Sequence, residues 1–324
     1  MKPRVALFFL CALLTAAVGP ARAQDTYPSR PVRIMVPFPP TSPIDVIARL
    51  VASKLTDRWG KPVVIDNKPG ATGSLGADMV AKALPDGYTL LFTADFSLTM
   101  YAAIAKQLPY NPVTDFKPVA TIARTQNGLF INPGIGVSTV EELIAVAKQR
   151  PGKLVFSTAG VASPSHFAAE QFKAAAGVDM LHVPYKGGPP AMTAVVTGEA
   201  SMSFGPIPQA IAYVRAGKLK ALAVTGTATS PLLPGVKPLI EQGFPGLVMR
   251  PWFPVLAPAR TPDSVTDIVR ETIRKVMDDP ELRARLEFMG IEPVWEGPEE
   301  VKRAIEADIK RWKEVAQRAG MERQ

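Results

Sequence analysis

From Tyr27 onward the chain alternates short β-branched runs with stretches of helical period, and this alternation is what most restricts the fold. A strand regularly followed by a helix returns to its sheet in the same direction, so the pattern predicts an α/β fold in which helices cover a parallel sheet. Strands are expected at residues 32–36, 63–67, 88–93, 119–123, 129–132, 154–157, 202–204, 221–225 and 253–257. Ser42-Pro43-Ile44-Asp45 reads as a capping box with proline in the first turn, and Ile44, Ile47, Ala48, Val51 and Leu55 then share one helical face. Ser138-Thr139-Val140-Glu141 repeats the device, and further starts are expected at Thr72, at Ser163 or Ser165, and at Gly187-Gly188. Proline, at 33 of 324 residues, is about twice as frequent as usual. Much of it sits at these strand-to-helix corners.

After Thr261 the pattern gives way to three charged amphipathic helices at 262–277, 280–288 and 298–318, with one short segment at 292–295 between them. Such a tail packs onto an existing core. The alternating part exceeds one typical domain, yet no linker or repeat divides it, so two lobes sharing an interrupted chain are expected.

The N-terminus reads as an export leader. Lys2 and Arg4 precede an apolar run at 5–18, and Ala21-Arg22-Ala23 supplies the small-x-small pattern that places cleavage after Ala23. A run of about 14 residues is short of the roughly 20 that span a membrane. The single cysteine, Cys11, lies in this run, so a disulfide framework is excluded from the mature chain. Removing the leader lowers the formal net charge from +8 to +5. The remaining basic residues are scattered without an aromatic-interleaved stripe, which argues against nucleic acid as a partner. Two histidines and no mature cysteine argue equally against a transition-metal site, and no cofactor is expected.

Chemistry is expected at the polar corners that follow the strands. They are Phe38-Pro39-Pro40-Thr41-Ser42, Gly70-Ala71-Thr72-Gly73-Ser74, Thr93-Ala94-Asp95, the stretch Ser157-Thr158-Ala159-Gly160 through Ser163, Ser165 and His166, and Tyr185-Lys186-Gly187-Gly188. In open α/β sheets ligands bind outside the carboxyl ends of strands, where free helix-start N–H groups and the positive end of the helix dipole favour anions. Each corner taken singly needs only to cap its helix. Gly70-Ala71-Thr72-Gly73-Ser74-Leu75-Gly76 is spaced G-x-x-G-x-x-G, not as a dinucleotide fingerprint. A serine hydrolase built on Ser165 and His166 is the rival from another class, and it lacks a third, orienting group. His182, in an apolar segment, reads as a half-buried structural histidine.

In order along the chain, Arg33-Ile34-Met35-Val36-Pro37-Phe38-Pro39-Pro40 with Asp45 and Ala48-Arg49, Asn67-Lys68-Pro69-Gly70-Ala71, Pro85-Asp86-Gly87-Tyr88-Thr89-Leu90-Leu91, Leu108-Pro109-Tyr110, His182-Val183-Pro184-Tyr185-Lys186-Gly187 and Ala216-Gly217-Lys218-Leu219-Lys220 resemble signatures of the substrate-binding receptors of the tripartite tricarboxylate transporter family, the Bug-type proteins. The resemblance covers nearly the whole mature chain. It implies a type II periplasmic binding fold with residues 24–125 and 250–324 in one lobe, 126–249 in the other, and a two-segment hinge between them. It also implies a monomer in the periplasm that closes on a small carboxylate and delivers it to inner-membrane permease subunits. A ligand-presenting partner of a sensor kinase would share the same fold.

Carried over by position, the implied ligand-binding residues are Phe38, Pro40, Thr41, Ser42 and Asp45 from the first corner and Ser157, Gly160, Ser163, Ser165, His166, Tyr185, Lys186 and Gly187 from the second lobe. Thr93, Asp95 and Gly205 complete the set. Two departures stand out. Thr41-Ser42 replaces a glycine pair usual in the family, and Gly205 stands where the family tends to place aspartate. Asp95 is therefore expected at the mouth of the cleft, facing an amino or other cationic group on a ligand that is not the simplest dicarboxylate.

Overall fold

The computed structural model describes residues 27–321. The expected leader and its cleavage after Ala23 lie outside the described residues. In chain order the strands are β1 (Val32–Val36), β2 (Val63–Asn67), β3 (Thr89–Phe92), β4 (Phe116–Arg124), β5 (Asn127–Ile131), β6 (Val155–Thr158), β7 (Leu181–Pro184), β8 (Met202–Pro206), β9 (Lys220–Val224), β10 (Trp252–Pro258) and β11 (Glu292–Glu296). The helices are α1 (Pro43–Trp59), α2 (Ser74–Ala81), α3 (Asp95–Leu98), α4 (Met100–Ile104), α5 (Val140–Gln149), α6 (Pro164–Ala176), α7 (Gly188–Thr197), α8 (Ile207–Arg215), α9 (Asp263–Met277), α10 (Pro280–Phe288) and α11 (Pro298–Arg318).

The strands form two sheets, ordered β11-β4-β10-β3-β1-β2 and β7-β6-β8-β5-β9. Neither is purely parallel, which corrects the expectation. β1 runs parallel to β2 and β3, but β10 enters antiparallel between β3 and β4. In the second sheet β5 lies antiparallel between β8 and β9, with Leu129 opposite Phe204. Alternation with helices predicts same-direction return only within a lobe; β5 and β10 are the strands by which the chain enters a lobe after crossing from the other. Both are buried along their whole length, as interior strands covered on two faces must be. β7 was not foreseen: four residues at a sheet edge, two of them exposed, leave no apolar alternation to read.

Local signals set most helix ends. α1 buries Ile44, Ile47, Ala48, Val51 and Leu55 and stops at Gly60, whose φ of 61° lets its N–H reach Thr56 O. The capping box of α5 is formed one residue later than expected: Thr139 Oγ1 accepts Glu142 N–H and the Glu142 carboxylate accepts Ser138 N–H. α2 begins at Ser74, after a single 3₁₀ turn over Ala71–Gly73.

Apolar clusters fill both faces of each sheet, and one of them is shared. Leu129, Phe156, Phe167, Phe172 and Phe204 of the second sheet's core pack with Met100, Ile104, Trp312 and Ala316 from α4 and α11. The Phe167 and Trp312 rings meet edge to face at 5.3 Å. α11 thus closes the first sheet through Val301 and Ile305 and then lies on the second lobe.

The chain passes between the sheets at 125–126 and again before Trp252. The two crossings are tied to each other: Thr125 N–H donates to Pro251 O at 2.8 Å, and Thr225 Oγ1, which accepts the Asn127 N–H at 3.0 Å, donates to Met249 O at 2.7 Å. Arg311 on α11 donates to Val248 O, and Arg124 grips Glu296 with a forked pair. Paired crossings flanked by two sheets give two lobes joined by a two-segment hinge.

Candidate functional site

β1 ends at Val36, and the Pro37–Ser42 turn leads into α1. Asp45, only 1% exposed, organises this turn. Its Oδ2 accepts the Thr41 N–H and Arg49 Nε, each at 2.9 Å, and its Oδ1 accepts Asn67 Nδ2 at 2.9 Å. Asn67 Nδ2 also reaches Phe38 O at 3.0 Å. Burial pushes the Asp45 carboxyl up, but the hydrogen bonds from Arg49, Asn67 and Thr41 outweigh it and hold the group below the usual carboxylate range. Asp45 is therefore ionised and internally satisfied. The expected capping box is not formed, because Asp45 reaches past Ser42 to Thr41 and Ser42 makes no side-chain cap. The Ser42 hydroxyl is left buried with no protein partner among the described residues.

The second-lobe corner is denser. Ser163, not Ser165, caps α6, accepting His166 N–H and donating to Gly160 O at 2.6 Å. Ser165 Oγ lies 2.9 Å from Ser163 Oγ and accepts Ala159 N–H. His166 Nδ1 accepts Ala162 N–H at 3.3 Å, so its proton sits on Nε2 in the neutral ring. The hydrolase pairing is not made, since Ser165 and His166 each turn to other partners. His166 stacks on His182 at 4.0 Å, and His182 stacks on Phe156 at 4.8 Å. His182 Nε2 meets Thr158 Oγ1 at 2.7 Å. The structural reading of His182 fits this placement.

The other candidates divide sharply. Lys186 is exposed, Tyr185 and Gly187 are half-buried, and Gly187 N–H is tied to Ala159 O at 3.2 Å. The Ser157 hydroxyl is buried and donates to Ala191 O. Gly205 is buried inside β8, and a Cβ there would stand 2.8 Å from Met192 Cε. Thr93 is buried with its hydroxyl 2.7 Å from Ser97 Oγ.

Asp95 does not stand at the mouth of the cleft, which corrects the expectation. It is 3% exposed, beside Asp308, Trp252, Arg124 and Arg311. Burial first, then the Asp308 charge, pushes its carboxyl well up, against the Trp252 and Phe96 amides and Arg124. Its position at the start of α3 places it under the hinge strand, where the sequence offered no sign that β10 would cover it.

Backbone strain marks the same places. The non-glycine residues with left-handed φ among the described residues are Thr41 (66°), Ala71 (45°), Thr72 (55°) and Ala162 (63°). All four sit at corners where a parallel strand hands over to a helix. Side-chain-bearing residues avoid this region, and such outliers concentrate where function fixes the backbone. Phe38 and Phe96 meet edge to face at 5.4 Å, and Phe96 packs against the cores of both lobes, so the first corner lies at the lobe junction. Sequence reading did not single out Ala162, which carries no chemical signal of its own.

Prolines strip amides from these helix starts. α1, α6, α7 and α8 each have proline in the first turn, so these four starts offer fewer N–H donors than an ordinary helix N-terminus. Hydroxyls and the remaining amides carry the polar contacts.

Residues 47–321 match the family described as "Tripartite tricarboxylate transporter family receptor". BugT of Bordetella pertussis is 32% identical over 309 residues, 95% of each chain. Among solved structures, R. palustris Rpa4515 with adipate superposes with a TM-score of 0.82 at 33% identity, covering 91% of this chain and 98% of that one. MatC from Rhodopseudomonas palustris with bound malate gives 0.77 at 28% identity, covering 89% and 99%. The architecture is that of a two-lobed periplasmic binding fold. The chain belongs to the tripartite tricarboxylate transporter receptor family, whose members are solute-binding receptors rather than enzymes.

Proposed function

We propose that the mature chain, cut after Ala23, works in the periplasm as a receptor that captures a small organic acid by closing two lobes, residues 24–125 with 250–324 and residues 126–249. The closed, loaded form is what inner-membrane permease subunits of the tripartite type accept. Ligand bridging both lobes shifts the open-closed equilibrium by its differential affinity for the closed form, and no bond in the ligand breaks.

The observation that carries this reading is the Ser42 hydroxyl, buried with no partner among the described residues at the N-terminal end of the 17-residue helix α1. A hydroxyl donor beside the positive end of a long helix suits a carboxylate oxygen. Thr41 and Ser42 face the acid from the first lobe, with Tyr185 and Lys186 from the second. Asp45, Ser157 and Gly205 shape the walls. Burial and the neighbouring Asp308 push the Asp95 carboxyl toward its neutral form, and Asp45 is paired internally, so neither acid offers its charge to a cationic ligand group and acids without an ammonium are favoured.

The test is titration calorimetry of the mature protein with adipate, malate and amino acids, repeated with Ser42→Ala. One acid binding saturably, unchanged on recovery and about tenfold weaker in Ser42→Ala at unaltered melting temperature, supports the proposal; tenfold corresponds to about 1.4 kcal/mol, the scale of one hydrogen bond to a charged group. Recovery of a cleaved product, or equal affinity in the variant, overturns it.

A further inference from the structure

Thr41-Ser42-Pro43-Ile44-Asp45 and Ala162-Ser163-Pro164-Ser165-His166 share one construction, although they lie in different lobes. Each follows a strand with a parallel neighbour, β1 or β6, and opens a helix. Each starts with a non-glycine residue in the left-handed region, at φ 66° for Thr41 and 63° for Ala162. A serine at the cap and a proline in the first turn come next. Each ends in a buried acceptor, Asp45 at 1% and His166 at 6% exposure, that takes the N–H of the left-handed residue. The distances are 2.9 Å to Asp45 Oδ2 and 3.3 Å to His166 Nδ1.

We propose that Asp45 and His166 are matched positioning residues, each of which captures the amide of the strained residue in its own lobe and so presets one of the two corners that meet the ligand. The proposal rests on the reading of these corners as the ligand site. Left-handed backbone is disfavoured for Thr and Ala by the Cβ, so something must hold it. An amide captured by a buried acceptor does so, and it also turns the next peptide toward the helix start. Each acceptor is itself fixed. Asp45 is gripped by Arg49 and Asn67. The His166 ring is held in plane by His182, with Lys173 and Glu170 the charged groups nearby and Glu170 Oε1 3.9 Å from Nε2. The ring can serve only while Nδ1 stays unprotonated, and its burial protects that state.

The two corners differ in one respect. The Ser163 hydroxyl is fully engaged within its loop, whereas the Ser42 hydroxyl has no partner among the described residues. The first corner therefore supplies a side-chain donor, and the second supplies shape.

Glycine adopts φ near 60° without an acceptor to hold it, which gives a test that separates positioning from general stability. Variants Asp45→Ala and His166→Leu are made in the mature chain, alone and combined with Thr41→Gly and Ala162→Gly respectively. Amide exchange of Thr41 and Ala162 is followed by NMR without ligand, and affinity is measured with adipate and malate as probes. Asp45→Ala is expected to speed exchange at Thr41 about tenfold or more and leave Ala162 unchanged, with the reverse in His166→Leu. Each is expected to weaken probe binding about tenfold, and each glycine to restore it to within about threefold. Asp45→Asn keeps one acceptor oxygen but sets an NH2 group against a donor and gives up the Arg49 ion pair, so Thr41 exchange faster than in the wild type and slower than in Asp45→Ala is expected. It covers the case in which Asp45→Ala fails to fold, and a wild-type rate there counts against the proposal. Wild-type exchange rates in both single variants, or lost affinity that neither glycine recovers, overturn the proposal. Exchange as expected in a protein that binds neither probe supports the positioning role and refutes instead the ligand class proposed for the site.

Discussion

Acidifying the solution should loosen this protein earlier than its carboxylates alone require, because of the stacked histidine pair. Burial first, then the neighbouring His182 and Lys173, lowers the His166 ring to about 3. Burial and Lys173 lower His182 to about 4. In the unfolded chain both titrate near their ordinary value of about 6.5. Below that pH the unfolded chain binds protons that the folded chain refuses. The stability they confer is complete above about pH 6.5 and declines as the pH falls toward the folded values. Between about pH 7 and pH 5 the ideal loss is roughly 2 kcal/mol per histidine. Partial solvent access to His182 screens this, so about 2 kcal/mol for the pair is expected. Urea unfolding at a series of pH values should show this decline as the difference between the wild type and a His166→Gln, His182→Gln double variant. Asp45 has a lowered value and titrates below this window, whereas the raised carboxyls of Asp95 and Asp308 slope the opposite way in both proteins, so the difference between the two curves reports the histidines. Equal slopes in the two proteins, or NMR titration of either ring near its ordinary value, would refute the reasoning.

Other expectations follow from single contacts. Trp312→Ala removes a ring 2% exposed from the cluster that joins α11 to the second lobe, and should cost about 3–5 kcal/mol in urea unfolding. Asp95→Asn should leave ligand affinity unchanged and raise stability at neutral pH: burial raises its folded value, so the unfolded chain alone gives up a proton as pH rises past the ordinary value, and amide substitution removes that penalty. Gly76→Ala would place a Cβ 2.8 Å from Pro37 Cβ and 3.1 Å from Lys68 O, and a loss of about 1–3 kcal/mol in urea unfolding is expected.

The sequence by itself determined the α/β class, the regular strands of each lobe, most helix starts and the corners at which strained backbone is found. These are local matters: β-branched runs such as Val32–Val36, a proline in the first turn and a glycine such as Gly60 at the end act within a few residues of where they stand. The family signatures added the expected lobe bounds and the two-segment hinge. Tertiary structure alone decided the rest. The antiparallel entry of β5 and β10 depends on the chain leaving one sheet for the other, and no window of sequence records that direction. β7 is a strand because β6 offers it an edge. Asp95 became a buried acid rather than a cleft residue because β10 and α11 close over it. The left-handed turns at Thr41 and Ala162 carry no glycine to announce them; they persist because Asp45 and His166, four residues on, fold back to hold the amides, a contact that exists only once α1 and α6 are formed.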